Sequence, residues 1–270
     1  MNLKIENFTE KDKITKHKEN LNQKLNNMAA NHMYDAPHTK GSNKTLISIV
    51  VDRSGSMESM GGETAGALST FIKDQSNGNT FITAVKFDNY CERFIELERS
   101  EEVTISSADV EPRGMTALYE AIGKSIEHTN TISEGFDKVI FVILTDGHEN
   151  SSQGNYQGES GRKLVKEMIS DKEKNGSWSF FFLGANIDSG LVGDSLGMRD
   201  GRCINFTPSA EGCSNAYRSC SQAVSRFRNG DVDAEFNDGE RGDSLVDNYT
   251  SSPQKAKGGY NLRNMSGNGC

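Results

Sequence analysis

The chain has 270 residues and a formal net charge of -8, with 38 acidic against 30 basic side chains, a balance that argues against a phosphate-backbone partner because nucleic-acid binding relies on clustered Lys and Arg. Its length suits one large domain with tails, and the 34% hydrophobic content, 27 glycines and mean hydropathy of -0.63 place part of that length outside any core. No stretch approaches the ~20 apolar residues that span a bilayer, and Met1 leads into a charged segment rather than the apolar run of a signal peptide.

In chain order, the polar segment from Thr9 to Ala30 carries Ile14, Leu21, Leu25 and Met28 near a heptad spacing, with Thr9 and Asp12 placed as a capping box. It reads as one amphipathic helix, packed on the main domain or on another chain, and Tyr34 to Asn43 reads as a linker. Residues 1–43 thus form an N-terminal appendage. Residues 44–228 then alternate strand and helix patterns. Thr45 to Val51 is a short β-branched strand, Glu63 to Lys73 a helix, and Thr80 to Phe87 with Arg93 to Leu97 a hairpin whose second strand is an antiparallel edge.

Ala117 to Ile126 has helical spacing, and Lys138 to Leu144 is apolar throughout, as a central parallel strand covered on both faces must be. Arg162 to Lys174 is an amphipathic helix and Trp178 to Leu183 a buried strand whose Trp178 and Phe180 to Phe182 belong to the core. Leu191 to Leu196 is a short helix, Cys203 to Phe206 the last strand and Cys213 to Phe227 the last helix. This order implies an α/β domain with a doubly wound, mostly parallel sheet, helices on both faces and one antiparallel edge strand. Past Asn229 the composition turns to Gly, Asp, Asn and Ser, so residues 229–270 are expected to form a flexible tail. The five cysteines, Cys91, Cys203, Cys213, Cys220 and Cys270, include no CxxC pair and read as reduced thiols of a cytoplasmic protein.

Three segments place oxygen side chains where open α/β sheets bind ligands, at the carboxyl ends of the strands. Asp52 ends the first strand and Ser54 and Ser56 follow on its loop; Thr116 precedes a helix in Arg113-Gly114-Met115-Thr116; Asp146 ends the central strand in Leu144-Thr145-Asp146-Gly147. This DxSxS, Thr, Asp series resembles the metal-ion-dependent adhesion site of von Willebrand factor A domains, and the resemblance covers residues 44 to 228. It implies a Rossmann-like fold of the kind found in intracellular bacterial and phage members of that family. In the family the serine hydroxyls ligate the metal, the carboxylates act through waters, and the Thr joins or leaves with conformational state.

An all-oxygen donor set suits a hard cation, Mg²⁺ first, with Mn²⁺ or Ca²⁺ also compatible. A cation held mainly by neutral hydroxyls keeps much of its charge, so the resemblance implies capture of an Asp or Glu carboxylate from a partner protein rather than catalysis. The competing expectation is a structural or assembly component, of a virion or another large complex, in which the metal only ties loops together.

Other motifs carry less weight. Gly193-Asp194-Ser195-Leu196-Gly197 and Gly242-Asp243-Ser244-Leu245 spell the signature of GDSL hydrolases, yet the last histidine is His148, upstream of both serines, where the expected order puts the base downstream. His148 and Glu149 are expected at the rim of the metal face. Arg241-Gly242-Asp243 is an RGD triplet whose Asp243 is a candidate for capping the site in cis.

Overall fold

Thr45–Asp52, strand β1, is buried along its whole length, which an apolar, β-branched run covered on both faces requires. The computed structural model describes residues 43–60 and 63–246; the expected helix over 9–30, most of the linker and residues 247–270 lie outside them. β2 (Thr80–Phe87), β3 (Cys91–Arg99), β4 (Lys138–Thr145), β5 (Trp178–Ala185) and β6 (Cys203–Phe206) complete a six-stranded sheet in the order β3-β2-β1-β4-β5-β6. Every neighbouring pair is parallel except β2 and β3, the hairpin at one edge. The sheet is therefore doubly wound and Rossmann-like, with the antiparallel edge strand expected from the sequence.

The alternation of side chains along the strands divides the core in two. Ile47, Ile49 and Val51 of β1 point to one face, with Leu68, Phe71 and Ile72 of α1 (Glu63–Asp74) and Tyr217, Val224 and Phe227 of α5 (Ala210–Arg228). Leu46 and Val50 point to the other, with Ile122 and Ile126 of α2 (Leu118–Ile132) and Val165 and Ile169 of α3 (Gly158–Glu173). Trp178 and Phe180 to Phe182 are core residues on both faces, as their place in a central strand demands. Tyr156, in a 3-10 turn ahead of α3, fixes how closely α2 and α3 approach: a Cβ at Gly123 would overlap its ring, and one at Gly161 its backbone.

Three helix starts lie earlier than the apolar periodicity indicates: α3 begins at Gly158 rather than Arg162, and the other two are set by capping residues rather than core residues. Asp188 accepts from Leu191 N at 3.0 Å to open α4 (Ser189–Ser195), and Ser209 accepts from Gly212 N at 3.1 Å to open α5.

The compositional break at Asn229 does not end the folded chain. Ala234 and Phe236 are buried in the core, Phe236 edge-on to Phe181, and α6 (Asp238–Asp243) follows. The fully buried Arg202 donates to the carbonyls of Val232 and Ala234 at 2.6 and 3.0 Å and to Glu173 at 3.0 Å. Glu240, buried, takes both guanidinium nitrogens of Arg226 at 2.7 and 2.8 Å. Polar residues that composition counts against folding are thus paired, and two apolar residues suffice to seat the segment. Its Arg241 donates to Cys203 O at 2.6 Å, which covers the outer edge of β6.

Candidate metal centre

The parallel register aligns the ends of β1 and β4, with Val51 opposite Leu144, so Asp52 and Thr145 leave the sheet side by side. Asp52 is fully buried; its Oδ1 accepts from Ser54 N at 2.6 Å and its Oδ2 from Thr145 Oγ1 at 2.5 Å. Ser54 Oγ lies 3.0 Å from Ser56 Oγ, and Ser56 Oγ donates to Asp146 Oδ1 at 2.6 Å. Thr116 closes the group: a Cβ added at Gly147 would lie 3.1 Å from Thr116 Oγ1 and 3.6 Å from Ser56 Oγ, so glycine there lets the β4 loop pass between them. Asp52, Ser54, Ser56, Thr116 and Asp146 therefore share one cluster at the carboxyl edge of the sheet.

Electrostatically the cluster is short of positive charge. Burial pushes the Asp52 carboxyl up to about 6, against the hydrogen bonds from Thr145 and Ser54, and the nearby Asp146 adds to the rise. Burial also raises Asp146, opposed by the Ser56 hydroxyl. Asp146 Oδ2 is buried with no hydrogen-bond partner among the described residues, an arrangement costly for a carboxylate unless a cation faces it. Among the described residues no three His, Cys, Asp or Glu side chains cluster as a metal site; here three hydroxyls join two carboxylates. This donor set fits a hard divalent cation and would give nitrogen- or sulfur-seeking metals nothing they prefer.

Several supporting residues escaped the motif reading. Asp88, buried just past β2, accepts from Arg53 Nε at 3.1 Å and Arg113 Nε at 2.7 Å. Burial alone would raise its carboxyl, but the hydrogen bonds from Arg113 and Tyr90 N–H, with the charges of Arg53 and Arg113, hold it below the ordinary carboxylate range. It thereby joins the two metal loops from beneath, and Gly55 N donates to Gly114 O at 3.1 Å above it. On the other side Asn150 Oδ1 accepts from Thr116 N at 2.9 Å while Asn150 N donates to Thr116 O at 3.0 Å. Glu149 accepts from the backbone N–H groups of Tyr119, Ser151 and Ser152 at 2.9, 3.0 and 2.7 Å. Glu149 thus braces the loop, beyond the rim position expected for it, and exposed His148 stands beside it. A buried acidic residue directly after a strand was the signal available for Asp88; nothing local marks Asn150.

The two hydrolase-like serines have other engagements. Ser195 Oγ donates to Val192 O at 2.7 Å within α4, and Ser244 Oγ, fully buried, donates to Glu240 O at 2.9 Å. Asp243 does not cap the cluster: its carboxylate lies 3.3 Å from Arg218 of α5, and its segment is packed in place.

No family model matches the sequence, and no match to it was found among curated proteins. Among solved structures, the PilB minor pilin from Streptococcus sanguinis aligns with a TM-score of 0.50 at 14% identity over 73% of this chain. The alignment covers 64% of the pilin, so this chain spans just under two thirds of that protein's length. The vWF domain of the type V pili tip protein Mfa5 from Porphyromonas gingivalis aligns at 10% identity over 67% of this chain and 95% of that one, with a TM-score of 0.49. Proximal thread matrix protein 1 from the mussel byssus, with a zinc-occupied MIDAS motif, aligns at 14% identity over 65% of this chain and 46% of that one, with a TM-score of 0.46. At 14% identity the likeness to the minor pilin is one of fold.

Proposed function

We propose that this chain is a divalent-cation-dependent protein-binding module that captures an Asp or Glu carboxylate of a partner protein and carries out no reaction of its own. The observation that carries the reading is the buried Asp146 Oδ2, which has no hydrogen-bond partner and no paired positive side chain among the described residues and sits in a cluster of hydroxyls at a sheet edge. Ser54, Ser56 and Thr116 would offer hydroxyl oxygens, and Asp52 and Asp146 would orient those hydroxyls and hold metal-bound water. Mg²⁺ suits this set first, then Mn²⁺ or Ca²⁺. Bound there, the cation would supply an electrophilic position for a carboxylate.

A purely structural metal is the second reading, and the hydrogen bonding argues against it. The loops are already joined directly, Asp52 to Thr145, Ser56 to Asp146 and Thr116 to Asn150, so a cation is not needed to tie them. A cytoplasmic setting agrees with Cys203, Cys213 and Cys220, which are buried, unpaired thiols. No helix among the described residues is long and apolar enough to cross a membrane.

Thermal unfolding across a MgCl₂ or MnCl₂ titration tests the site. Saturation at a hundred times Kd should stabilise the protein by about 2.7 kcal/mol, roughly 5 to 10 °C at this size. Asp146→Asn and Asp52→Ala should abolish that rise and the Mg²⁺-dependent, EDTA-reversible capture of partner. Cation-dependent capture by either variant would defeat the proposal. Size-exclusion chromatography with and without EDTA separates out the assembly reading, which requires the complex itself to change size.

A further inference from the structure

Beside the metal cluster lies a cleft of about 290 Å³ between the start of α2, the β4 loop and α4, walled by Tyr119, His148, Glu149, Leu191 and Val192. It shares both loops with the cluster: Tyr119 is three residues past Thr116, and His148 two past Asp146. Its volume suits one or two apolar side chains and is small for a drug-sized ligand. Leu191 stands on its lip 70% exposed, a large apolar side chain that the described residues leave uncovered.

The exposure belongs to a wider pattern. Five large apolar side chains are exposed among the described residues: Tyr90 and Leu191 lie just past β2 and β5, Met115 is tied to Asn89 past β2, Leu245 adjoins Ser244, which is bonded to Thr207 past β6, and Val232 lies elsewhere. Apolar residues concentrated on one face, around a polar centre, mark a surface built to be covered. Resting on the carboxylate-receptor reading above, we infer that the cleft is a specificity subsite: the partner presents an acidic residue to the metal and an apolar side chain, one to three positions away, to the cleft. An extended chain covers about 3.3 Å per residue, so that spacing spans about 3 to 10 Å, enough to pass from the end of β4 to the segment after its neighbour β5, about 4.8 Å away in the sheet, where α4 carries Leu191 and Val192.

Panning a phage-displayed library of random short peptides on the full chain in Mg²⁺ buffer, with elution by EDTA, tests this. The eluted peptides should share an Asp or Glu with a Leu, Ile, Met or Phe at a fixed short spacing. Leu191→Ala, a surface change that leaves the cluster intact, should bind the best peptide about tenfold more weakly and lose the apolar preference while keeping the acidic one. An acidic consensus without an apolar neighbour, or an unchanged consensus on Leu191→Ala, would overturn the subsite and leave the metal reading standing. A library that yields no EDTA-sensitive binder counts against both. Competition by a synthetic peptide of residues 247–270 would assign the cleft to the chain's own C-terminal end, and a dimer dissolved by Leu191→Ala would assign it to a second copy; either result overturns the inference.

Discussion

Asp52 carries the strongest pH signature in the metal cluster. Its carboxyl stands at about 6 in the folded protein against an ordinary 3.8, because burial disfavours the charged form. The folded state therefore holds the proton more tightly than the unfolded chain, and the metal-free protein loses stability as pH rises from 3.8 to about 6. The loss is complete above about 6 and amounts to something on the order of 3 kcal/mol. Urea unfolding of the wild type in EDTA, compared with Asp52→Asn, should show the variant gaining relative stability across that window and holding it above; a difference independent of pH would refute the assignment. Adding Mg²⁺ above the window should restore the wild type alone. The five positions were singled out in the sequence by the resemblance of their DxSxS, Thr, Asp series, with Asp52 and Asp146 readable at strand ends and Thr116 ahead of a helix. The partner of Asp52 Oδ2, Thr145, was not, because it lies 93 residues away and only the β1–β4 register brings it there.

Helix α2 shows how one element borrows from another. Its N-cap is Ala117, which has no side chain to offer, and its early N–H groups find acceptors in the β4 loop: Tyr119 N at Glu149 and Glu120 N at Ser152 Oγ, 3.0 Å away. The same loop grips the Thr116 peptide from both sides through Asn150. Asn150→Ala should therefore lower Mg²⁺ affinity by about tenfold, by freeing Thr116, and cost roughly 1 kcal/mol of folding stability. Calorimetric titration and urea unfolding measure the two effects, and Mg²⁺ affinity equal to wild type would show that the grip does not bear on the cluster. Between α2 and α3, Gly123→Ala should destabilise the protein by about 1–3 kcal/mol despite alanine's better helix propensity, because the added methyl meets the Tyr156 ring; a raised unfolding midpoint would contradict this. Strands were readable from their β-branched and aromatic runs, and helices from their apolar spacing. Caps supplied from a distant loop leave no local pattern to read.

At the scale of the molecule, the packed segment 230–246 is the part composition misjudged. Ending the chain at Asn229 would uncover Phe181 and strip Arg202 of its two carbonyl acceptors inside the core. That should cost roughly 3–5 kcal/mol and show as a lowered urea midpoint or insoluble protein; an unchanged midpoint would mean that the segment is not part of the fold. Charge pairs and backbone acceptors hold it, and neither appears in a hydropathy profile. The segment also sets where the chain leaves the domain. Val246 N donates to Thr207 Oγ1 at 2.8 Å, just past the end of β6, whereas Asn43 and Lys44 enter ahead of β1 at the opposite edge. The domain thus has poles: attached to a surface, a larger assembly or a sensor chip through its N-terminal side, it holds Asp52, Thr116, Asp146 and Leu191 outward, while attachment through its C-terminal side turns the same face toward its support.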